Sequence, residues 1–283
     1  MISILGKDEI IKNVYLLSRS RLGSENIKKV EDLKPFYLDF LKNHQPYHPI
    51  NFSNEIIVSN EEKINALILA YQPSALDDLN QVKMIGEKHS ADKYQELLTL
   101  VKNGYTHLAD SDKDVKLIFD LVIHTIFFRK STASSSNVSS FGGSSSTAIG
   151  SIWISGHGAL TPHDVAEFLL HELTHHLLFI DERCHEQFHY AEIIKPENYS
   201  TSALLGKKRP LDKVVHSILV SHEILNARQK FLNAGNVTIH PKTSILKENT
   251  NHSIAEILGM KNLNNLITNR TKEFIMTARE NLN

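Results

Sequence analysis

The stretch Thr161–Glu182 reads TPHDVAEFLLHELTHHLLFIDE. Val165, Phe168, Leu169, Leu170, Leu173, Leu177 and Leu178 are apolar almost all the way round a helix, and a helix of that kind is buried rather than laid on a surface. Its start is encoded locally. Thr161 stands at the N-cap, Pro162 at the first helical position, where a missing N–H costs nothing, and Asp164 in the first turn near the positive end of the dipole. Inside this helix lie His171, Glu172 and His175, in the order H-E-x-x-H. Residues four apart lie one above the other, so both imidazoles can point at the same spot. Buried imidazoles need partners. Two neutral ones at this spacing suit a divalent transition metal, and Glu172 beside them can hold or deprotonate a bound water. The pattern alone selects neither the metal nor the reaction.

The chain of 283 residues can bury a sizeable core in one or two domains. Its net charge of −1 provides no field that would attract nucleic acid or an acidic membrane. Cys184 is the single cysteine, so no internal disulfide forms and a reducing compartment fits. Cys184 reads as a packed thiol rather than a ligand. The segment MISILGKDEIIKNVYLL lacks the continuous apolar core of a signal peptide, and no window reaches membrane-spanning length. A cytoplasmic location is expected, with no nucleic-acid or membrane partner.

From Lys7 to about His124 the apolar spacing predicts helices, with Ile10, Ile11, Val14, Leu17 and then Phe36, Phe40, Leu41 as examples. Glu61–Tyr71 and Ala91–Leu108 continue the pattern, and Ser111 with Asp114 predicts a cap for a further helix. The acidic run Asp110–Asp114 lacks the glycine and distal glutamate of a calcium loop. Ile123–Lys130 and Ala148–Ser155 read as strands. Between them, Ser131–Ser146 is low in complexity, either a linker or a lid beside the site. After the metal helix, His185 and His189 could form a second site, but the polar stretch around them reads as a partly exposed segment. Lys207–Asn233 predicts a second long helix to about Leu232, with Pro210 early and Asp212 in its first turn. Val237–His240 reads as a short strand and the remainder as helical.

The expected fold is mainly α (α+β), a helical bundle-like enzyme with a small β-sheet beside the metal helix. Strand signals are too few for a double-stranded β-helix. Residues 1–122 would form a helical part and 123–283 a metal-binding catalytic part, together one continuous structural unit.

Three patterns compete for the third metal ligand. Asp181 occupies the last position of the metzincin run, but Leu178 stands where that run needs a glycine. A glutamate from a later helix completes the gluzincin site, and Glu223 is the first candidate, ahead of Glu186 and Glu192. His216 would make a site of three histidines. His216 and Glu223 share a helix face but lie two turns, about 10 Å, apart along the axis, so only one can serve.

Phe127–Leu225 resembles the HExxH-type peptide-modification proteins of natural-product gene clusters, the α-ketoglutarate-HExxH-type peptide β-hydroxylases. The features that match are the Ser-rich segment leading into AIGSIWIS, the helix with HELTH, and Arg209-Pro210-Leu211 followed by His216 in RPLDKVVHSILV. The helical N-terminal part matches loosely. The resemblance implies a mononuclear Fe(II) enzyme with His171, His175 and His216 as ligands and no peptidase activity. It also implies 2-oxoglutarate as co-substrate and hydroxylation of the β-carbon of an amino-acid residue in a ribosomally made peptide; the partner expected is a peptide or amino-acid substrate, and whether a leader peptide or carrier joins it is left open. The co-substrate's far carboxylate then needs a cation. Arg209 is the first candidate and Arg129 the second, while Lys207 and Lys208 read as a solvated turn. Glu172 would orient a ligand or water rather than act as a base. The rival expectation is a zinc metallopeptidase with Glu223 as third ligand and Glu172 as general base. A metal-stabilised helical binding module is the non-enzymatic expectation.

Overall fold

Apolar residues at helical spacing become helices along the first third of the chain. In the computed structural model, which describes residues 2–22, 27–45, 47–71, 84–132, 140–232 and 238–282, these are α1 (Lys7–Ser18), α2 (Lys34–His44), α3 (Glu61–Ala70), α4 (Ala91–Ser111) and α5 (Lys113–Val122). The junction between α4 and α5 corrects the expected cap. Asp112, not Ser111, accepts from the amides of Asp114 and Val115, at 2.9 and 3.0 Å. A carboxylate can serve two amides at once. Ser111 ends α4 instead, its hydroxyl donating to the carbonyl of His107.

Three short strands follow: β1 (Thr125–Phe128), β2 (Gly142–Gly143) and β3 (Ser151–Ile154). The sheet order is β1-β3-β2, with β1 parallel and β2 antiparallel to β3. Ile126, Phe128, Ile152 and Ile154 join the main core, while Phe127 and Trp153 on the opposite face pack with Val58, Ile64 and Leu67. A sheet buried on both faces explains why these strands read as continuous apolar runs. Of the Ser-rich stretch, residues 133–139 lie outside the described residues; Gly142 and Gly143 form the edge strand.

The long helix α6 (Pro162–Cys184) starts as expected. Thr161 Oγ1 accepts from the Asp164 amide, and the Asp164 carboxylate accepts from the Thr161 amide at 2.9 Å. Then come α7 (Tyr190–Ile193), the antiparallel pair β4 (Ser200–Thr201) and β5 (Lys208–Arg209), α8 (Leu211–Lys230), α9 (Thr243–Leu258) and α10 (Asn269–Leu282). Pro210 is the N-cap of α8 rather than its first helical residue, with extended backbone at φ −52° and ψ 148°. Thr238–His240 is not a strand. The Thr238 amide is taken by the Asp164 carboxylate at 2.6 Å, not by a neighbouring strand.

Helix α6 lies between two cores. One gathers α1, α2, α4, α5 and one face of the sheet. The other gathers α8, α9 and α10 with Leu178 of α6. The first core draws on residues from both sides of position 122. Gly104 lets α4 close on α6: a Cβ there would stand 2.5 Å from Val165 Cβ. The structure is thus mainly helical with a small mixed sheet and no barrel. No helix among the described residues is long and apolar enough to cross a membrane.

Three buried imidazoles, His48, His124 and His176, are built into the main core. His48 Nε2 meets Ser151 Oγ at 2.7 Å, and His124 Nδ1 meets Thr125 Oγ1 at 2.8 Å. The Gly150 amide donates to His176 Nδ1, so the Nε2–H of His176 donates to the Ser151 carbonyl. Burial pushes His48 down to about 4, His176 to about 3 and His124 well below the ordinary 6.5. All three are neutral in the fold and take up protons on unfolding below their ordinary value. Stability therefore falls as pH drops from there toward the folded values. Each ring that takes up a proton only on unfolding can add up to about 1.4 kcal/mol per pH unit to that slope. Urea midpoints measured at pH 7 and pH 5 should separate clearly, and coincident midpoints would contradict neutral, buried rings.

Candidate metal centre

His171, Glu172 and His175 sit near the middle of α6, on the side that faces α8. One cavity of about 900 Å³ is lined by His171, Glu172, His175, His216, His240 and Arg209, among others. The sequence-derived candidates His171, His175, His216, Glu172 and Arg209 are thus brought to a single space.

The Nε2 atoms of His171 and His175 lie 3.1 Å apart. Two nitrogens bound to one ion at about 2.1 Å each are separated by roughly 3.0–3.4 Å, so this pair is spaced for a shared metal. His216 stands on the other side of His175, with the two Nδ1 atoms 3.0 Å apart and the rings stacked at 5.3 Å between centroids. The three rings therefore form a row, with one nitrogen of His175 facing each neighbour. A turn of the His175 or His216 ring about its Cβ–Cγ bond is needed to aim all three at one point.

The donor chemistry fits a divalent metal. Burial holds His171 and His175 well below the ordinary imidazole range. His216 is pushed down to about 3 by burial, with Lys213 adding to the effect. Their lone pairs are therefore free of protons near neutral pH, as metal ligation requires. Burial pushes Glu172 the other way, up to about 7, with Ser144 beside it pulling in the opposite direction. A carboxyl group in that state can pass a proton to or from a neighbour near neutral pH.

Glu223 is not brought to the histidines. Its carboxylate accepts from the amide of Ser3 at 2.9 Å, the amide of Ile4 at 2.8 Å and the Ser3 hydroxyl at 3.1 Å. The two turns between it and His216 put it over the N-terminal segment instead of over the cavity. Glu192 pairs with Lys195, and Glu186 is exposed beside His189. Arg129 also faces elsewhere. Side chains alternate along a strand, so Arg129 shares the face of Phe127 and reaches α3, where it meets Glu61 at 2.7 Å and Asn65 at 3.3 Å.

His185 lies not with His189 but with Glu9 and Asp181, and the donor atoms of these three are close enough to hold an ion. A cation already sits there. Arg270 bonds both Asp181 and Glu9, and Asn13 and Gln187 also donate to Asp181. Asp181 is thereby accounted for as a structural anion, not as a metzincin-type ligand. Cys184 is a free, partly buried thiol raised to about 11 by burial, in keeping with a packed residue.

Three residues at the centre were missed in the sequence. Glu167 lies one turn before His171 on the same face of α6, a spacing that could have flagged it. Arg228 on α8 forms a two-point ion pair with Glu167. His240 meets His171 at 2.7 Å from a loop 69 residues away, and no local pattern announces it.

No family model and no curated protein matches this chain.

Replacing His216 with Ala is expected to weaken metal binding by at least tenfold, read by competition with a coloured chelator. Glu223→Ala should leave metal affinity intact. It should instead lower the melting temperature, because the Ser3 and Ile4 amides lose their buried acceptor, a cost of about 1–3 kcal/mol. The reverse pattern would restore Glu223 as the ligand.

Proposed function

We propose that this chain is an Fe(II)- and 2-oxoglutarate-dependent hydroxylase acting on the β-carbon of an amino-acid residue in a peptide. The observation that carries the reading is the proximity of His216 to the H-E-x-x-H pair while the candidate carboxylate ligand, Glu223, is engaged elsewhere. The resemblance of the segment from Arg209 to His216 points the same way.

His171, His175 and His216 would hold the iron. When bound with 2-oxoglutarate and dioxygen, the metal would supply oxidation of a C–H bond, with one oxygen atom ending on the substrate carbon as a hydroxyl and the other in succinate as carbon dioxide leaves. Three neutral imidazoles leave the metal charge uncompensated, so the pocket favours a dianionic co-substrate. Arg209 and Lys213 both line the cavity and offer cationic partners for the carboxylate that points away from the metal. Glu172, raised to about 7 by burial, would hold a proton and orient a ligand or water. Tyr190, Ile194 and Leu205 line the cavity and are among the exposed large apolar residues, a surface suited to an apolar peptide segment.

The zinc-peptidase reading keeps one favourable observation, the raised carboxyl of Glu172, which suits a general base. It would now need His216 as its third ligand.

Anaerobic Fe(II) with 2-oxoglutarate should give a weak visible charge-transfer band, and adding oxygen and a peptide substrate should release succinate. Absence of both, together with peptide cleavage by the zinc form, would replace this reading with the peptidase. Arg209→Ala should raise KM for 2-oxoglutarate by about 10- to 100-fold, the loss expected for one charge-assisted contact, with a smaller change in kcat.

A further inference from the structure

The ring of His171 is held from both sides. Its Nε2 faces His175, and its Nδ1 faces His240 Nε2 at 2.7 Å, with the His171 and His240 rings stacked. His240 presents its own Nδ1 to Glu167 Oε1 at 2.7 Å. Glu167 in turn takes two bonds from Arg228, at 2.6 and 2.7 Å. These side chains are nearly sealed from water: Glu167 is 1% exposed, Arg228 4% and His240 7%.

The direction of each proton follows from what the end group can do. An ionised carboxylate only accepts. His240 must therefore donate from Nδ1. Arg228 already balances the charge of Glu167, so a second cation in this dry pocket would be uncompensated. A neutral imidazole carries one N–H, so His240 Nε2 accepts. The hydrogen between the two rings then belongs to His171 Nδ1. His171 Nε2 is left as a bare lone pair on the side of His175.

We propose that Glu167, acting through His240, fixes the tautomer of His171 so that its Nε2 is ready to bind a metal before the metal arrives. Arg228 is part of the same device. It holds Glu167 and also donates to the carbonyl of Pro241 at 2.9 Å and to Thr243 Oγ1 at 3.3 Å, which anchors the loop bearing His240. At the loop's other end, Asp164 accepts from the Thr238 amide. Glu167, His240 and Arg228 are positioning residues: they reach the ion only through His171. A carboxylate behind a ligating imidazole is a common support; here a second imidazole is inserted between them. The inference rests on His171 being a metal ligand, but not on which metal binds or which reaction follows.

The test uses the full chain free of metal, with ¹⁵N-labelled histidine, and long-range ¹H–¹⁵N correlation at neutral pH. The His171 signals, assigned by their loss in His171→Gln, should report a protonated Nδ1 and a bare Nε2. A protonated Nε2 in the wild-type protein would overturn the proposal, and this measurement needs no destabilised variant. Zn(II) affinity, read by chelator competition alongside the melting temperature, gives the second readout. His240→Leu and Glu167→Gln should each weaken Zn(II) by about 10- to 100-fold. His240→Gln, whose amide oxygen can accept the Nδ1–H, should recover most of that loss. Equal affinity in the Leu and Gln variants would also overturn it. Failure to form succinate would touch neither readout. Unchanged Zn(II) affinity in His171→Gln would instead remove His171 as a ligand, and with it the role proposed for the relay.

Discussion

A helix buried on nearly every side must find partners for each polar side chain it carries, and α6 does so from one end to the other. Asp164 caps its own helix and holds the Thr238 amide. Glu167 takes Arg228 and His240. His176 spans to the backbone of Gly150 and Ser151, and Asp181 collects Asn13, Gln187 and Arg270. These partners come from α1, α8, α10, the sheet and the loop before α9. A dry polar group without a partner is costly, so the demands of one helix select the neighbours around it. The least well served on this helix is Glu172, which has only Ser144 near its buried carboxyl. The place where satisfaction is thinnest is the wall of the cavity.

Charge is distributed along α6 with the same economy. Full ion pairs occupy its flanks: Glu167 with Arg228 on one side, and Asp181 with Arg270 near the end. Asp181 is badly placed with respect to the helix dipole, whose C-terminal end is negative, and Arg270 offsets that. Between these anchors the row of imidazoles is neutral. A divalent ion entering there would meet no protein anion in the row itself, which leaves room for an anionic small molecule to complete the charge balance.

What could be read from the sequence was whatever is decided within a turn or two of chain. The start of α6 was legible because Thr161, Pro162 and Asp164 act on one another directly. So was the two-sided burial of β1 and β3, written as continuous apolar runs. The orientation of Arg129 was also present, since Phe127 and Arg129 must share a strand face, but strand phase has to be anchored by a packing partner that only the fold supplies. The contest between His216 and Glu223 could not be resolved locally. Both lie on one face; His216 lines the cavity, while Glu223 is drawn away by the amides of Ser3 and Ile4. His240 belongs to the same class: a loop residue with no periodicity, given meaning by Arg228 and Asp164 on two separate helices.

The hold of Glu223 on Ser3 and Ile4 joins positions 220 and 219 apart in the chain. Two segments distant in sequence therefore depend on one carboxylate. Without α8 in place, the amides of Ser3 and Ile4 lose their acceptor. Seating of the segment at Ser3 and Ile4 and placement of His216 thus depend on the same helix, α8, so loosening one should loosen the other.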